Sequence, residues 1–334
     1  MNKPKVFVTR HILDSGLNLI QGFCEVEMWP GELPPSHPEL LNHVRGQEGL
    51  LCLLTDKIDK EVMETAGVSL KVISNCAAGV DNVDVTVASA RGIPVGNTPD
   101  VLTDATADFT FALLMAAARR VVEGERVVRS GGWKTWSLDT LLGADFYGAV
   151  LGLVGFGRIG KAVARRANGF GMRIIYTDSQ QQVSQEPGIT ADRVNLDTLL
   201  RESDFISLHT PLTIETRGLI NSAAFEKMKP NTVLVNTSRG PIVDQKALCE
   251  ALKSRRIFAA ALDVTEPEPI PPDSPLLNLE NCIIVPHIAS ASWHTRQCMS
   301  RMAAENLIAG LKGEPLPNCV NPEVYSRPIS IHRQ

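Results

Sequence analysis

The 334-residue sequence lacks the features that mark several large classes of protein. Its longest nearly apolar stretch, at 109–118, is much shorter than the roughly 20 residues that cross a membrane. The 33 basic and 37 acidic residues leave a net charge of −4, so no strong field attracts nucleic acid. The first residues, MNKPKVFVTR, show no apolar segment of the kind found in secretory signals. We therefore expect neither a membrane-spanning segment nor a nucleic-acid partner.

Paired cysteines are also missing, because the seven cysteines are scattered and form no CxxC motif. This spacing favours neither a disulfide framework nor a metal site. Unpaired thiols among apolar neighbours are typical of a reducing compartment, so we expect a cytoplasmic protein that holds no metal. A catalytic or metal-ligating cysteine is the alternative, and the spacing does not favour it.

What the chain does contain is an alternation of short β-rich segments and longer helical patterns. This alternation predicts parallel sheets covered by helices, and at about 150 residues per domain the length predicts two domains. Candidate strands lie at 6–10, 25–29, 50–54, 71–75 and 93–96, and then at 149–154, 172–177, 205–210, 232–237, 259–264 and 283–286. The six strands of the second series match the strand count of a doubly wound dinucleotide-binding domain.

Two long helical patterns accompany these strands, at 103–130 and 292–311. The first has an apolar stripe through Phe109, Leu113 and Ala116, and a helix of this length could connect the two domains. The second follows the last strand and leads into a tail that contains proline. We expect this tail to return to the first domain, although helical periodicity alone does not establish that crossover.

The most specific motif is GFGRIG, which follows a predicted strand and begins a predicted helix. It comprises Gly155, Phe156, Gly157, Arg158, Ile159 and Gly160. In this setting the first glycine permits a tight turn, the second lets a pyrophosphate approach the backbone, and the third allows close packing of helix and strand. The motif predicts dinucleotide binding, with a structural glycine-rich turn as the alternative.

Asp178 ends the next strand, about 20 residues after the glycines, where a carboxylate contacts the adenosine ribose in this fold. A carboxylate there accepts hydrogen bonds from ribose hydroxyls and repels a 2′-phosphate. No arginine follows it directly in the sequence. The pattern therefore predicts binding of NAD(H) in preference to NADP(H). A turn carboxylate without a ligand role is the alternative.

Three polar residues follow late strands of the second series: Arg239, Glu268 and His287. Open α/β sheets bind their ligands at the carboxyl ends of the strands, where these residues are expected to lie. Reduction of a 2-oxo acid requires a cation for the carboxylate and carbonyl groups, and an acid that protonates the developing alkoxide. Arginine suits the first task, histidine suits the second, and a carboxylate beside the histidine would favour the imidazolium form.

Each of these residues also has an ordinary structural interpretation. Arg239 could form a surface ion pair, Glu268 could be solvated like Glu266, and His287 could be a hydrogen-bonded histidine at a strand end. His209, which also ends a strand, is a rival acid, but no comparable carboxylate pattern follows it. The order and placement of all three residues favour the catalytic interpretation.

At these residues the sequence resembles the D-isomer-specific 2-hydroxyacid dehydrogenases, and within them the glyoxylate/hydroxypyruvate reductases. The matching segments are GLLCLL at 49–54, TPDVLTD at 98–104, GGWKTW at 131–136, DVTEPEP at 263–269 and PHIASA at 286–291. The resemblance implies a Rossmann cofactor domain, 101–287, inserted in a flavodoxin-like substrate domain, 1–100 plus 288–334. It also implies a homodimer in which Arg239 binds substrate and Glu268 pairs with the acid/base His287.

The same resemblance implies further contacts with ligands. Ala78 and Gly79 match a loop whose amides hold the substrate carboxylate, Leu54 and Trp293 would shape the substrate pocket, and Trp136 would reach the active site of the neighbouring subunit. The alternatives are a plain turn at Ala78 and Gly79, core packing for Leu54 and interface packing for Trp136. Additional cofactor contacts are implied at Thr106, Thr210, Pro211, Thr237, Ser238, Asp263 and Ala289.

The chain departs from its animal relatives at two positions. Those relatives favour NADPH and carry a basic residue after the second strand, where this chain has Asp178 and Ser179. Ala289 replaces a glycine that is common in the family and would narrow the site slightly. NAD(H) remains the preferred cofactor, with NADP(H) as the alternative.

The function expected from these residues is hydride transfer from NAD(P)H to a small 2-oxo acid such as glyoxylate or hydroxypyruvate, with His287 as general acid. Oxidation of another D-2-hydroxy acid, of formate or of phosphite would fit the same fold. The extra C-terminal domain common in phosphoglycerate dehydrogenases is not recognised in the sequence. An NAD(H)-sensing scaffold similar to transcriptional corepressors is the alternative from another class of protein.

Overall fold

The structure is a computed structural model that describes residues 3–180 and 188–326. It divides into two compact units, Met1–Leu102 with Ser292–Gln334, and Thr103–Ala291. None of the helices in the described residues combines the length and the apolar character needed to cross a bilayer. The same residues contain no group of three or more His, Cys, Asp and Glu side chains that could hold a metal ion.

The first unit is built on a sheet of five parallel strands. The strands are β1 (Lys5–Val8), β2 (Glu25–Met28), β3 (Gly49–Cys52), β4 (Val72–Asn75) and β5 (Val95–Gly96). They lie in the order β2-β1-β3-β4-β5, which is the doubly wound order of flavodoxin-like sheets. The helices before the second unit are α1 (Asp14–Phe23), α2 (His37–His43), α3 (Lys60–Ala66) and α4 (Val85–Ala90). β1, β3 and β4 are almost wholly buried, as their apolar runs predict.

The second unit contains a parallel sheet of seven strands. They are β6 (Val150–Val154), β7 (Arg173–Thr177), β8 (Ala191–Arg193), β9 (Phe205–Leu208), β10 (Val233–Asn236), β11 (Ala259–Leu262) and β12 (Cys282–Ile284). Their order, β12-β11-β10-β9-β6-β7-β8, is the Rossmann order extended by one strand. The helices are α5 (Thr103–Ala118), α6 (Val121–Arg129), α7 (Arg158–Gly169), α8 (Leu196–Glu202), α9 (Ser222–Phe225) and α10 (Gln245–Lys253).

Two sequence predictions about this unit are wrong. The expected six strands omit β8, a three-residue polar strand at the sheet edge that has no apolar run to mark it. The single helix expected at 103–130 is two helices, because Arg120 adopts a left-handed conformation with φ of 52°. The carbonyl of Ala118 accepts a hydrogen bond from the amide of Ala144 at 3.0 Å instead of continuing the helix. No glycine or proline marks this break in the sequence.

The C-terminal helix α11 (Trp293–Lys312) packs on the sheet of the first unit. The Ser74 hydroxyl of β4 donates to the carbonyl of Ala303 at 2.7 Å. A Cβ atom at Gly16 in α1 would lie 2.2 Å from the carbonyl oxygen of Ser300, so only glycine permits the observed approach. The predicted parallel sheets covered by helices are therefore confirmed in both units.

Candidate active site

The GFGRIG loop connects β6 to the start of α7 in the second unit. Gly155 has φ of 96°, and a Cβ atom there would lie 2.6 Å from the carbonyl oxygen of His209. A Cβ atom at Gly160 would lie 2.3 Å from the carbonyl oxygen of Gly155. Gly157, in contrast, caps the helix and has open space where its Cβ atom would be. The loop is therefore packed on the protein side and open at the position where a pyrophosphate approaches the helix N-terminus.

Asp178, which follows β7, is tied to this loop by its carboxylate. One carboxylate oxygen accepts a hydrogen bond from the amide of Phe156 at 2.7 Å, and the other accepts from the amide of Gln180 at 2.8 Å. The Phe156 ring stacks on Tyr176 with 4.1 Å between ring centroids. Each carboxylate oxygen has more than one lone pair, so Asp178 can still accept from ribose hydroxyls.

Sequence reasoning missed a cation that contacts the backbone of Asp178. The side chain of Arg193 on β8 donates to the backbone carbonyl of Asp178 at 2.9 Å. Fifteen residues separate the two in sequence, and β8 itself was not predicted, so no local pattern indicated the contact. Arg158, in the glycine motif, lies at the first position of α7.

The other predicted cofactor residues lie on α5 or follow the buried strands of the same unit. Thr110 of α5 donates to the carbonyl of Thr106 at 2.8 Å, and its hydroxyl lies 2.9 Å from that of Thr237, after β10. Thr210 and Pro211 follow β9, while Ser238 comes directly after Thr237. The carboxyl ends of the strands therefore hold these residues at one edge of the sheet.

Asp263, at the end of β11, organises the segment that contains His287. Its buried carboxylate accepts hydrogen bonds from the amides of Ile288 at 2.7 Å and Ala289 at 2.9 Å, and its carbonyl accepts from the amide of His287 at 2.9 Å. Burial raises the pKa of Asp263, while the two backbone hydrogen bonds act in the opposite direction. His287 itself adopts a left-handed conformation with φ of 53°.

His287 and Glu268 are in direct contact. Nδ1 of His287 lies 2.5 Å from Oε1 of Glu268, and the two side chains are 22% and 33% exposed. Because Nδ1 is engaged by the carboxylate, Nε2 is the ring nitrogen that can transfer a proton to a ligand. Glu266 instead forms an ion pair with Arg217 at 2.9 Å. The structure thus identifies Glu268, and not Glu266, as the partner of the histidine.

Arg239 follows β10, Thr237 and Ser238, and precedes a buried glycine. Its guanidinium donates to the carbonyl of Ser238 at 2.8 Å, and its own carbonyl accepts from the side chain of Asn236 at 2.8 Å. A Cβ atom at Gly240 would lie 2.0 Å from the carbonyl oxygen of Thr265. Gly240 therefore lets the turn that carries Arg239 lie against the loop that carries Glu268. The sequence analysis did not predict that Gly240 permits this close approach. The signal in the sequence is a glycine that directly follows an arginine after a buried strand.

The rival acid His209 has the environment of a structural histidine. Burial lowers its pKa to about 3, and Nε2 lies 2.8 Å from the hydroxyl of Ser207. The ring is therefore neutral near pH 7 and has no proton to deliver as an imidazolium ion. This environment favours His287 over His209 as the acid.

In the first unit, the loop after β4 is held by two asparagine side chains. Asn97 donates to the carbonyl of Ala78 at 2.7 Å, and Asn75 donates to the carbonyl of Gly79 at 2.9 Å. Within 3–180 and 188–326, no acceptor engages the amides of Ala78 and Gly79. With its carbonyls bound and its amides available, this loop can bind an anion.

The remaining predicted substrate residues have few contacts within their own units. Leu54 follows β3 and is half-buried. Trp293, the first residue of α11, is 84% exposed, and Trp136 of the second unit is 76% exposed. The two indoles are therefore not packed in the core of either unit, and their apolar surface is exposed.

The comparisons with known proteins agree with this geometry. Residues 111–289 match the family described as D-isomer specific 2-hydroxyacid dehydrogenase, NAD binding domain. The glyoxylate reductase of Korarchaeum cryptofilum is 55% identical over 96% of this chain and 97% of its own length.

Two solved structures have the same fold over nearly their whole length. The TT0316 protein of Thermus thermophilus superposes with a TM-score of 0.89 at 48% identity, over 95% of this chain and 99% of that one. An NADPH-dependent glyoxylate/hydroxypyruvate reductase of Sinorhizobium meliloti, in complex with NADP and malonate, gives a TM-score of 0.83 at 31% identity, over 96% and 98% of the two chains.

The chain therefore belongs to the D-isomer specific 2-hydroxyacid dehydrogenase family. It is accordingly a dehydrogenase that uses a nicotinamide cofactor, and the glycine loop and the strand ends of its second unit suit that cofactor. The predicted family, fold class and class of enzyme are confirmed.

Proposed function

We propose that the protein reduces glyoxylate to glycolate, and related small 2-oxo acids to the corresponding D-2-hydroxy acids. The observation that carries this proposal is the contact between His287 and Glu268, 2.5 Å apart, in the unit that contains the nucleotide-binding loop. The glyoxylate reductases among its relatives, 55% identical in one case, support the choice of substrate.

The proposed chemistry assigns one task to each polar residue. When bound, the reduced nicotinamide supplies a hydride to the carbonyl carbon of the substrate. Nε2 of His287 donates a proton to the carbonyl oxygen, while Glu268 orients the ring through Nδ1 and stabilises its protonated form. Arg239 donates hydrogen bonds to the substrate oxygens, where negative charge develops. His287 then regains its proton from solvent.

We assign the remaining predicted residues to binding. The free amides of Ala78 and Gly79 hold the substrate carboxylate, and Leu54 and Trp293 shape the space around the substrate. The glycine loop, Asp178 and the strand-end residues of the second unit hold the cofactor. These further residues are Thr106, Arg158, Ile159, Thr210, Pro211, Thr237, Ser238, Asp263 and Ala289.

The experiment that tests the proposal is the oxidation of NADH and NADPH followed in the presence of glyoxylate, hydroxypyruvate or pyruvate. We expect turnover with glyoxylate or hydroxypyruvate. Formate and phosphite with NAD serve as comparison substrates, because other activities of this fold would appear there. If no 2-oxo acid is reduced, the scaffold interpretation is favoured and the proposal fails.

We further propose that the enzyme prefers NADH to NADPH, because the Asp178 carboxylate would repel a 2′-phosphate. The variant Asp178→Asn keeps an acceptor for the amide of Phe156 but removes the charge. We expect the ratio of kcat/KM for NADPH to that for NADH to rise about tenfold, a charge effect of about 1.4 kcal/mol. Steady-state kinetics with both cofactors measure this ratio.

The matched control for this variant is Asp192→Asn. Asp192 is an exposed carboxylate of β8 that lies 3.5 Å from Arg173. We expect the same cofactor ratio as in the parent enzyme. A parent enzyme that is more efficient with NADPH than with NADH would contradict the preference itself.

We also propose that the protein is a homodimer. From α6 to the start of β6, the second unit exposes a series of large apolar side chains: Val121, Val128, Trp133, Trp136, Leu138, Leu142 and Tyr147. Large exposed apolar side chains in this number favour a protein interface, and Trp136 would then approach the active site of the partner. Sedimentation equilibrium that gives the mass of a single chain at micromolar concentration would exclude this assembly.

A further inference from the structure

Arg296, in the first turn of α11, has a buried Nε atom with no hydrogen-bonding partner among the described residues. Its Nε atom is buried and unsatisfied, and no ion pair or hydrogen bond joins its guanidinium to another residue within 3–180 and 188–326. Arg301, five residues further along, binds Glu305 at 2.9 Å. A buried donor without an acceptor costs free energy, and an anionic ligand is one group that can supply the acceptor.

The packing of α11 places this side chain at the carboxyl end of the first unit's sheet. Ala303 contacts Ser74 within β4, and Met299 lies in the same apolar cluster as Cys76, which follows that strand. Arg296 is one turn before Met299 and is therefore nearer to the loop that begins at Cys76.

Two further observations agree with this location. Burial raises the pKa of the Cys76 thiol to about 12, and the charge of Arg296 acts in the opposite direction, so the guanidinium is within electrostatic range of Cys76. The first turn of the 20-residue helix contains no acidic residue, so the positive end of the helix dipole is not neutralised there. Both features contribute positive charge to this part of the unit.

We infer that Arg296 is a substrate-binding residue that, with the amides of Ala78 and Gly79, binds the carboxylate of the 2-oxo acid. This inference rests on the proposed function and extends it, since it adds a charged side chain of the first unit to the recognition of the anion. A planar guanidinium can form two parallel hydrogen bonds with a carboxylate, which adds orientation as well as affinity.

The experiment compares Arg296→Gln and Arg296→Lys with the parent enzyme. For Arg296→Gln we expect the KM for glyoxylate and the inhibition constant of oxalate to rise about 10- to 100-fold, since a hydrogen bond to a charged group is lost. The KM for NADH should stay unchanged. Arg296→Lys should restore part of the loss, because it keeps the charge but not the two-pronged geometry.

An uncharged substrate separates carboxylate binding from a structural effect. With glyoxylamide in place of glyoxylate, the parent enzyme and Arg296→Gln should have similar kcat/KM values. The ratio of kcat/KM for glyoxylate to that for glyoxylamide should therefore be lower in the variant than in the parent. Arg301→Gln, on the same helix, is the matched control and should leave all constants unchanged.

Failure of the proposed function and failure of the Arg296 inference give different results. If the parent enzyme reduces no 2-oxo acid, the proposed function fails. If the parent is active and Arg296→Gln keeps the parent's KM for glyoxylate and inhibition by oxalate, the side chain is structural and this inference is overturned, whatever happens to the melting temperature.

Discussion

The variant His287→Asn is expected to lower kcat for reduction of a 2-oxo acid by about 10²- to 10⁴-fold, the contribution typical of a general acid. The KM for NADH should change little, because the lost interaction is a proton transfer. Asparagine is the appropriate replacement because His287 has φ of 53°, and asparagine adopts this left-handed conformation more readily than most residues. Steady-state and single-turnover rates measure the effect.

The chain offers a matched control for this experiment. His43 also contacts a glutamate, Glu27, but this pair lies in the first unit beside Phe7 and Trp29. His43→Asn should leave kcat unchanged. A kcat for His287→Asn close to that of the parent would show that water or another group delivers the proton.

The second large effect is expected for Arg239→Lys. Replacing the guanidinium with an ammonium ion keeps the charge but removes the planar fork that binds oxygen atoms in pairs. We expect kcat/KM for glyoxylate to fall about 10²- to 10³-fold, as on removal of a donor to a developing oxyanion. The decrease should be found mainly in kcat, because the interaction is strongest in the transition state.

Arg217→Lys is the control for this substitution. Arg217 pairs with Glu266 on the loop that also carries Glu268, so its replacement perturbs the same loop without touching the proposed oxyanion contact. The activity should stay close to that of the parent. A change in KM alone for Arg239→Lys would assign this arginine to ground-state binding only.

Much of the fold was predictable because the buried strands have continuous apolar runs. β9, β10 and β11 are buried throughout, and the polar residues that follow them mark the strand ends in the sequence. The same signal placed Arg239 at the ligand-binding edge. β8 was missed for the converse reason, since a short polar strand at a sheet edge carries no apolar pattern.

Other features depend on contacts between distant residues and could not be predicted locally. Residue type alone does not distinguish Glu266 from Glu268; the family resemblance implied Glu268, and the structure pairs Glu266 with Arg217 and Glu268 with His287. The burial that makes His209 a neutral histidine is likewise a property of the packed sheet. Arg120 breaks the long helix without a glycine or proline, so tertiary contacts determine that break.

The close approach at Gly240 joins two parts of the protein that carry opposite charges. The Thr265 carbonyl occupies the space that a side chain at position 240 would need. The backbone after Arg239 and the backbone before Glu268 are therefore packed directly against each other. We expect a substitution that shifts the turn of Arg239 to shift the loop of Glu268 as well, so the two charges would not be repositioned independently. In laboratory selection for activity on other 2-oxo acid substrates, we therefore expect substitutions at exposed side chains such as Trp293, which are not packed in this way.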